Sequence, residues 1–281
     1  MDDISCCIIA VQKNEPYIND WIQYHINQGF SHIFIIDNND VGNELTIPAK
    51  FKSYVSVFPA NGIIDWHISP IQAKLYNFVL DYIRSINSIK KTYTHVLCID
   101  IDEYFYYKDG DINKFISNVM HDSTVCSLSW DCYSDNDIIY KKDLQYDSPI
   151  KNYTEHANRG WISNDCKSIA LITNDTKLDI HYHNGRCYRL INDCVANIKH
   201  YRTQCLEEYV DKIRLRRCGD NEYWYENNKN NIRVYFNYNN ITLEKLEAFE
   251  YFYKKYDMIM SDEDKEFIET NKQIIKRKNN D

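Results

Sequence analysis

Short apolar runs alternate with longer amphipathic segments through the first 130 residues of the chain. The apolar runs are typical of buried strands, and they are ISCCIIAV (4–11), HIFIIDN (32–38), YVSVFPA (54–60), 94–101 and TVCSLSW (124–130). The amphipathic segments have apolar residues at helical spacing, and they are 16–28, which Gly29 closes, 70–86 and 111–120. This alternation predicts an α/β fold with a mostly parallel, Rossmann-type sheet flanked by helices.

The second half of the chain has a less regular pattern. The segments CKSIALIT (166–173) and KLDIHYHN (177–184) are typical of the two strands of a β-hairpin. From Gln204 onward the apolar spacing is helical, and the segments 242–259 and 261–277 predict two further helices. The sequence therefore predicts a helical C-terminal extension after the α/β region.

Charge and cysteine usage narrow the class of protein. The 281 residues have a formal net charge of −8, which argues against a sequence-independent grip on nucleic acid. The ten cysteines are scattered without zinc spacing, so we expect them to be core residues in a reducing compartment. The first residues, MDDIS, do not resemble a signal peptide, and no apolar run approaches the ~20 residues that span a bilayer. We expect a cytoplasmic protein, with membrane contact only at its periphery.

Polar side chains follow three of the predicted strands. Asn14, Asp37 and Asp100 lie at or just past strand ends, and the carboxyl ends of parallel strands form the usual ligand-binding edge of such a sheet. A carboxylate at the position of Asp37 suits a ribose or a base edge. Glu15 follows Asn14 and is either part of this site or an acid favoured by the N-terminus of the next helix.

The segment HVLCIDIDEYF (95–105) places three carboxylates directly after an apolar strand. Carboxylates removed from water need a positive partner. If the strand stays extended, Asp100 and Asp102 point the same way and suit Mg²⁺ or Mn²⁺. Glu103 would lie behind them and either bond to backbone or orient a ligand. The alternative is a solvated turn. Tyr104 stands where a phosphatase of the DxDxT type has threonine, which disfavours a covalent aspartyl-phosphate mechanism. The chain also has no glycine-rich phosphate loop, which disfavours a Rossmann NAD site and a P-loop.

Several segments together resemble GT-A glycosyltransferases, specifically the family 2 relatives that merge into family 92. The resemblance covers about residues 4–220 and is carried by KNE (13–15), WIQYHINQGFSHIFIIDNND (21–40), Gln72 with YN (76–77), CIDIDEYF (98–105), WDCYSDND (130–137) and IKHYRTQCLEEYVDKIRLRRCG (198–219). The chain departs from the family pattern at Asp20, at Tyr104 and at Arg217 with Cys218.

This resemblance implies a nucleotide-sugar donor, a Mn²⁺ or Mg²⁺ ion and inversion at the anomeric carbon. It implies a catalytic domain over residues 1–220, with a nucleotide half at about 1–105 and an acceptor half at about 106–220. Residues 221–281 would be a helical extension that provides a membrane contact or a dimer contact. Inversion needs a general base, and the resemblance favours Asp135, with Asp131 as a second candidate.

Further candidates complete the predicted site. His183 and His200 are candidates either for a third ligand of the metal beside Asp100 and Asp102 or for a contact to the diphosphate. His181 is paired with His183 on one predicted strand face. The predicted donor-binding residues are Asn14, Glu15, Asp37, Gln72, Asp100 and Lys212. Cations that could offset a diphosphate, or that are ordinary surface cations, are Lys167, Arg202, Lys212 and Arg216. Aromatic candidates for a sugar face, or for the core, are Trp66, Trp130 and Trp161.

The leading hypothesis is a metal-dependent inverting glycosyltransferase, a hexosyltransferase that uses a UDP-sugar, with galactose favoured by the resemblance to family 92. Its acceptor would be a glycan or a glycolipid. One alternative is a sugar-nucleotide or nucleotidyl transferase, which usually has a glycine-rich loop with basic residues that this chain lacks. The other is a non-catalytic carbohydrate-binding protein on a degenerate GT-A fold, which predicts a damaged metal motif.

Overall fold

The computed structural model describes residues 4–60, 71–120, 123–157, 166–181, 183, 187–190, 195–214 and 231–278. The chain divides into two compact units. The sheet unit comprises Met1–Asp131 and Ile162–His200, and the helical unit comprises Cys132–Trp161 and Tyr201–Asp281. Trp66, Trp161 and Arg216 lie outside the described residues. The division into a catalytic domain over 1–220 and an extension over 221–281 stays a prediction.

The nine strands of the described chain lie in the sheet unit, apart from Cys132, the last residue of the sixth strand, which belongs to the helical unit. In chain order they are β1 (Cys6–Gln12), β2 (His32–Asp37), β3 (Val55–Pro59), β4 (His95–Cys98), β5 (Glu103–Tyr107), β6 (Val125–Cys132), β7 (Cys166–Leu171), β8 (Cys187–Leu190) and β9 (Ala196–His200). Their spatial order is β3-β2-β1-β4-β7-β6-β9-β5, with β8 beside β6. The helices of this unit are α1 (Ile18–Asn27), α2 (Ile71–Ile89) and α3 (Ile112–Phe115), which continues into a π-helical turn at Ile116–Met120.

The first four strands form the parallel half of the sheet. β1 pairs in parallel with both β2 and β4, and β2 pairs in parallel with β3. The side chains of β1, β2 and β4 are almost all buried, which explains their continuous apolar runs in the sequence, whereas only Val55 is buried in β3. The predicted α/β class of the Rossmann type, with helices at the C-terminus, is confirmed. Gly29 has φ +82° just after α1, the left-handed conformation of a helix C-terminus.

The second half of the sheet is mixed in direction. β7 lies between β4 and β6 and is antiparallel to both, and β5 pairs antiparallel with β9. The predicted hairpin is wrong, because β7 pairs with β4 and β6 and the segment 177–181 forms no strand. That segment is held by the side chain of Asn77 on α2, which accepts from the Leu178 amide at 3.0 Å and donates to its carbonyl at 2.8 Å.

The helical unit packs around its own apolar core. Its helices are α4 (Pro149–Asn152), α5 (Leu206–Arg214), α6 (Asn231–Phe236), α7 (Leu243–Lys255) and α8 (Asp262–Lys278). Thr242 caps α7 by accepting from the Lys245 amide at 3.2 Å. The predicted apolar stripe of α5 faces the core, since Leu206 and Val210 are fully buried. Within the described ranges, we find no helix with the length and apolar character needed to cross a bilayer.

The cysteines behave as small core residues wherever the structure describes their side chains. These seven residues are all buried and none forms a disulfide: Cys6, Cys7, Cys98, Cys126, Cys132, Cys166 and Cys205. Burial raises the pKa of the Cys7 thiol well above its usual range, so the thiol is the stable form. These cysteines therefore contribute apolar packing rather than cross-links or nucleophiles.

Candidate functional site

The acidic segment after β4 is a tight turn, which we call the carboxylate turn and define as Asp100–Glu103. The Glu103 amide donates to the Asp100 carbonyl at 3.1 Å, and the Asp100 amide donates to Glu103 Oε2 at 2.9 Å. β4 ends at Cys98 rather than at Ile101, so strand alternation does not align Asp100 with Asp102 as the sequence predicted. The predicted bond of Glu103 to backbone is confirmed.

Lys167 on β7 provides the positive charge of the carboxylate turn. Its Nζ lies 2.7 Å from Asp100 Oδ2 and 3.4 Å from Glu103 Oε2. β7 brings it there because Ile169 pairs with Leu97 of β4, and Lys167 lies two residues further, beside the residues that follow β4. Lys167 was predicted to offset a donor diphosphate. Its side chain is fully buried and paired with protein carboxylates instead.

Burial and this ion pair shift the pKa values of all three groups. Desolvation raises the pKa of Asp100, but attraction to the Lys167 ammonium outweighs it and the net shift is downward. Desolvation lowers the pKa of Lys167, and the attraction of Asp100 and Glu103 reverses this to a net increase. The pKa of Glu103 lies well above its usual range, because full burial dominates and the two aspartates add repulsion. Asp100 and Lys167 are thus a charged pair.

Gln72 fixes the other side of the Asp100 carboxylate. Its Nε2 donates to Asp100 Oδ1 at 3.0 Å and to the Tyr76 hydroxyl at 2.6 Å. Gln72 and Tyr76 lie on the first turns of α2, so this helix binds one carboxylate oxygen of Asp100 while Lys167 binds the other. The structure therefore brings together Gln72 and Asp100, two residues that the sequence predicted for one site. The side chain of Asp100 remains 37% exposed.

Asp102 lies beside His200, which packs against Trp130. Its Oδ1 is 3.7 Å from His200 Nε2, and His200 reaches it because β9 pairs His200 with Glu103. The Trp130 ring lies 4.4 Å from the His200 ring, measured between centroids. The structure thus places His200, which the sequence proposed as a metal ligand, next to one of the two predicted aspartate ligands.

His183 lies in the loop that follows β7. Its Nδ1 accepts from the Asp179 amide at 3.1 Å, and burial lowers its pKa to about 4. His181 hydrogen-bonds through Nδ1 to the Cys166 carbonyl at 3.2 Å. Because this segment is no strand, the predicted common face of the two histidines does not form. Both rings instead serve to hold the loop against β7.

Asp37 organises the loop after β2. Its Oδ2 accepts from the Leu45 amide at 2.7 Å, and its Oδ1 accepts from the Asn39 amide at 3.1 Å and from the side-chain amide of Gln12. The Asn14 amide donates to the Asn39 side chain at 2.6 Å, and Asn14 itself has φ +51°. Asp37 and Asn14 therefore share one loop network, as their positions at neighbouring strand ends predicted. Nucleotide binding by Asn14, Glu15 and Asp37 stays a prediction.

Asp135 is engaged within the helical unit. Its carboxylate accepts from the Tyr235 hydroxyl and is 2.8 Å from Lys245 Nζ, and both Asp135 and Lys245 are almost fully buried. The same ammonium lies 2.7 Å from Asp137 Oδ1. A carboxylate held in this way is a structural counter-ion, which argues against the predicted role of Asp135 as a general base.

Asp131 lies at the end of β6 in the sheet unit. It follows Trp130 directly, so the two side chains leave the strand on opposite faces. Its charge acts on Lys199 of β9, whose pKa is lowered by desolvation and raised in part by Asp131. Lys212, a predicted donor-binding residue, lies in the helical unit and donates to the Arg202 carbonyl at 3.5 Å.

The carboxylate turn has two aspartates that could bind a divalent ion, Asp100 and Asp102. Among the described residues, no group of three or more His, Cys, Asp or Glu side chains could hold a metal ion, so the predicted set of Asp100, Asp102, His183 and His200 is not a ready-made cage. The turn has three carboxyl groups, and the ammonium of Lys167 contacts two of them, those of Asp100 and Glu103. Two carboxylates fit a Mg²⁺ or Mn²⁺ ion whose remaining ligands are water and donor phosphates.

The sequence did not predict the carboxylate partners of the two buried lysines, Lys167 and Lys245. Lys167 interrupts the apolar segment CKSIALIT, and a lysine in a buried strand requires a carboxylate partner, so the signal was present. Lys245 has no such signal, because it lies among charged residues in ITLEKLEAF. The partner of a buried charge on a helix is decided by tertiary packing.

Comparisons with known proteins add little to this picture. No protein-family model and no curated protein sequence matches the chain. One solved structure with a similar arrangement is a putative glucose-1-phosphate thymidylyltransferase from Bacillus anthracis in complex with a sucrose. It has 11% sequence identity over 74% of this chain and 75% of that chain, with a TM-score of 0.29, which is too low to support a shared function. The resemblance to glycosyltransferases therefore rests on the sequence motifs.

Proposed function

We propose that this chain is a glycosyltransferase that binds a nucleotide-sugar donor at the carboxylate turn. The observation that carries the proposal is the position of Asp100 and Asp102. They follow β4, at the carboxyl edge of the parallel half of the sheet, where open α/β sheets bind ligands. The motif resemblance adds the finer proposal of a metal-dependent, inverting transfer from a UDP-sugar, with galactose favoured, to a glycan or glycolipid.

Each residue of the site has a proposed task. Asp100 and Asp102 would hold a Mg²⁺ or Mn²⁺ ion, which when bound supplies a Lewis acid for the leaving diphosphate. Gln72 fixes the orientation of the Asp100 carboxylate through its 3.0 Å bond, and Lys167 keeps that carboxylate ionised. The buried ring of Trp130 supports His200, which in turn borders Asp102.

Inversion by direct displacement needs a base on the acceptor hydroxyl. Of the two predicted candidates, Asp135 is already bound to Lys245 and Tyr235, while Asp131 leaves β6 on the face opposite to Trp130, whose ring borders His200. The proposal of Asp131 as the base therefore rests only on its position at the end of β6. Asp131→Asn should lower kcat by more than about a hundredfold and leave donor affinity unchanged. If Asp131→Asn keeps the kcat of the wild type, Asp131 is not the general base.

The first test is donor binding by calorimetry. A panel of nucleoside-diphosphate sugars is titrated into the protein with Mn²⁺ and again with EDTA. We expect metal-dependent binding of one UDP-sugar, and Asp102→Ala should weaken it by more than about tenfold. Asp109→Ala, which removes an exposed carboxylate from the same unit, is the matched control and should bind as the wild type does.

The outcome separates the candidate functions. If the folded, metal-loaded protein binds none of the donors but binds free oligosaccharides, and Asp102→Ala leaves that binding unchanged, the chain is a carbohydrate-binding protein. Binding of a sugar 1-phosphate together with a nucleoside triphosphate would instead indicate a nucleotidyl transferase. Both outcomes would refute the glycosyltransferase proposal.

A further inference from the structure

The side chain of Lys167 is a fully buried ammonium at the centre of the carboxylate turn. It contacts Asp100 Oδ2 at 2.7 Å and Glu103 Oε2 at 3.4 Å, and its Nζ lies 6.0 Å from the centroid of the Trp130 ring. Lys167 belongs to β7, which pairs with β4 on one side and with β6 on the other, so this lysine lies on an interior strand of the sheet. This position is rigidly determined by backbone pairing.

The ammonium gives the turn an internal counter-ion. Three carboxyl groups in four residues repel one another, and burying them is unfavourable unless a cation lies close by. Lys167 meets this need within the folded chain, and Gln72 satisfies the remaining side of Asp100 with a hydrogen bond. Both oxygens of the Asp100 carboxylate therefore have a partner within the chain.

The same ammonium opposes the uptake of a divalent ion. An ion held by Asp100 would lie within a few ångströms of Lys167 Nζ, and two positive charges so close together repel strongly. The negative charge of a donor diphosphate would restore the balance. We infer that Lys167 is the built-in counter-ion of the carboxylate turn and makes uptake of a divalent ion depend on a bound nucleoside diphosphate.

This inference rests on the proposed function only in naming Asp100 and Asp102 as the ion ligands. Its test uses Mn²⁺ alone as the probe. Protein freed of metal by EDTA and dialysis is titrated with Mn²⁺, and the free ion is followed by its paramagnetic resonance signal. For the wild type we expect no saturable uptake of Mn²⁺ alone, and saturable uptake once UDP is present.

Lys167→Met removes the ammonium and keeps most of the side-chain volume. This variant should bind Mn²⁺ without UDP, at least about tenfold more tightly than the wild type, and its melting temperature should rise with Mn²⁺. Lys167→Arg keeps the charge and should behave as the wild type. Lys245→Met removes an equally buried lysine from the helical unit and should gain no affinity for Mn²⁺.

Each result decides the inference. Wild-type protein that binds Mn²⁺ alone as tightly as with UDP overturns it, as does a folded Lys167→Met variant with no gain in affinity. If Lys167→Met unfolds in EDTA, refolding only in Mn²⁺ supports the inference, and failure to refold in either solution counts against it. Absence of donor binding by the wild type would refute the proposed function, while the Mn²⁺ affinity of Lys167→Met still tests the counter-ion.

Discussion

His25 is the group through which acid should weaken the sheet unit. Its ring is fully buried between α1 and β5, where Nδ1 bonds to the Trp21 carbonyl at 2.9 Å and Nε2 accepts from the Phe105 amide at 3.3 Å. An imidazole that accepts at Nε2 carries its proton at Nδ1 and is neutral. Desolvation accordingly lowers its pKa from 6.5 to about 3, against a smaller opposing effect of the Trp21 bond.

The sign and size of the effect follow from this shift. Below pH 6.5 the unfolded chain binds a proton at His25 while the folded chain does not, so stability falls as the pH drops from 6.5 to about 3. Between about pH 7.5 and pH 4.5, His25 alone should remove about 3 kcal/mol from the free energy of unfolding. That is a large part of the stability of a typical domain.

The assay is urea unfolding of wild type and His25→Gln at these two pH values. Glutamine can still accept from the Phe105 amide but does not titrate, so the variant should lose about 3 kcal/mol less on acidification than the wild type. Tyr24→Phe is the control, because it removes the 2.8 Å hydrogen bond to the Phe105 carbonyl and should cost about 1 kcal/mol at both pH values. Equal acid losses in His25→Gln and wild type would refute the reasoning.

Three further predictions concern other buried polar groups. Lys245→Met should lower the free energy of unfolding by about 3–5 kcal/mol in urea titrations, because Asp135 is left buried without a cation; an unchanged midpoint would contradict this. Asn77→Ala should speed hydrogen exchange at the Leu178 amide and lower the free energy of unfolding by about 1–3 kcal/mol. Unaltered exchange would show that the Asn77 side chain is not needed to hold the Leu178 backbone. Asp264→Asn should stabilise the protein near neutral pH by up to about 3 kcal/mol. Burial raises the pKa of Asp264 from 3.8 to about 6, so the folded state loses stability as the pH rises through this window, and the gain should largely vanish near pH 4.

Three strands of the parallel half, β1, β2 and β4, could be predicted because their side chains are buried on both faces. β1 and β2 lie within two residues of the apolar runs that predicted them, since nearly every side chain there is in the core. β5 and β9 gave no such signal, because tyrosine, lysine and asparagine interrupt them and each strand is defined by pairing with the other, about ninety residues away. Pairing over that distance has no local pattern.

The sequence predicted those site residues whose role follows from the chemistry of the residue type alone. Asp100, Asp102 and Gln72 were proposed together, and the structure brings Gln72 to Asp100. The direction of a side chain was not predictable where hydrogen bonds override a strand pattern, as they do in the turn between Asp100 and Glu103. Asp135 illustrates the third case, because its buried partner Lys245 is 110 residues away in the sequence.

The position of Lys167, 67 residues after Asp100, has a consequence for the nascent chain. During synthesis the carboxylate turn leaves the ribosome several seconds before β7 exists, at about 5–20 residues per second. Until then β4 has an open edge next to three like charges that lack their counter-ion. Charges of this kind discourage an open strand from pairing with a neighbouring chain. Charge repulsion at the acidic turn therefore protects the open edge of β4 during synthesis. Once β7 pairs with β4, Lys167 neutralises part of that charge and the edge is no longer open.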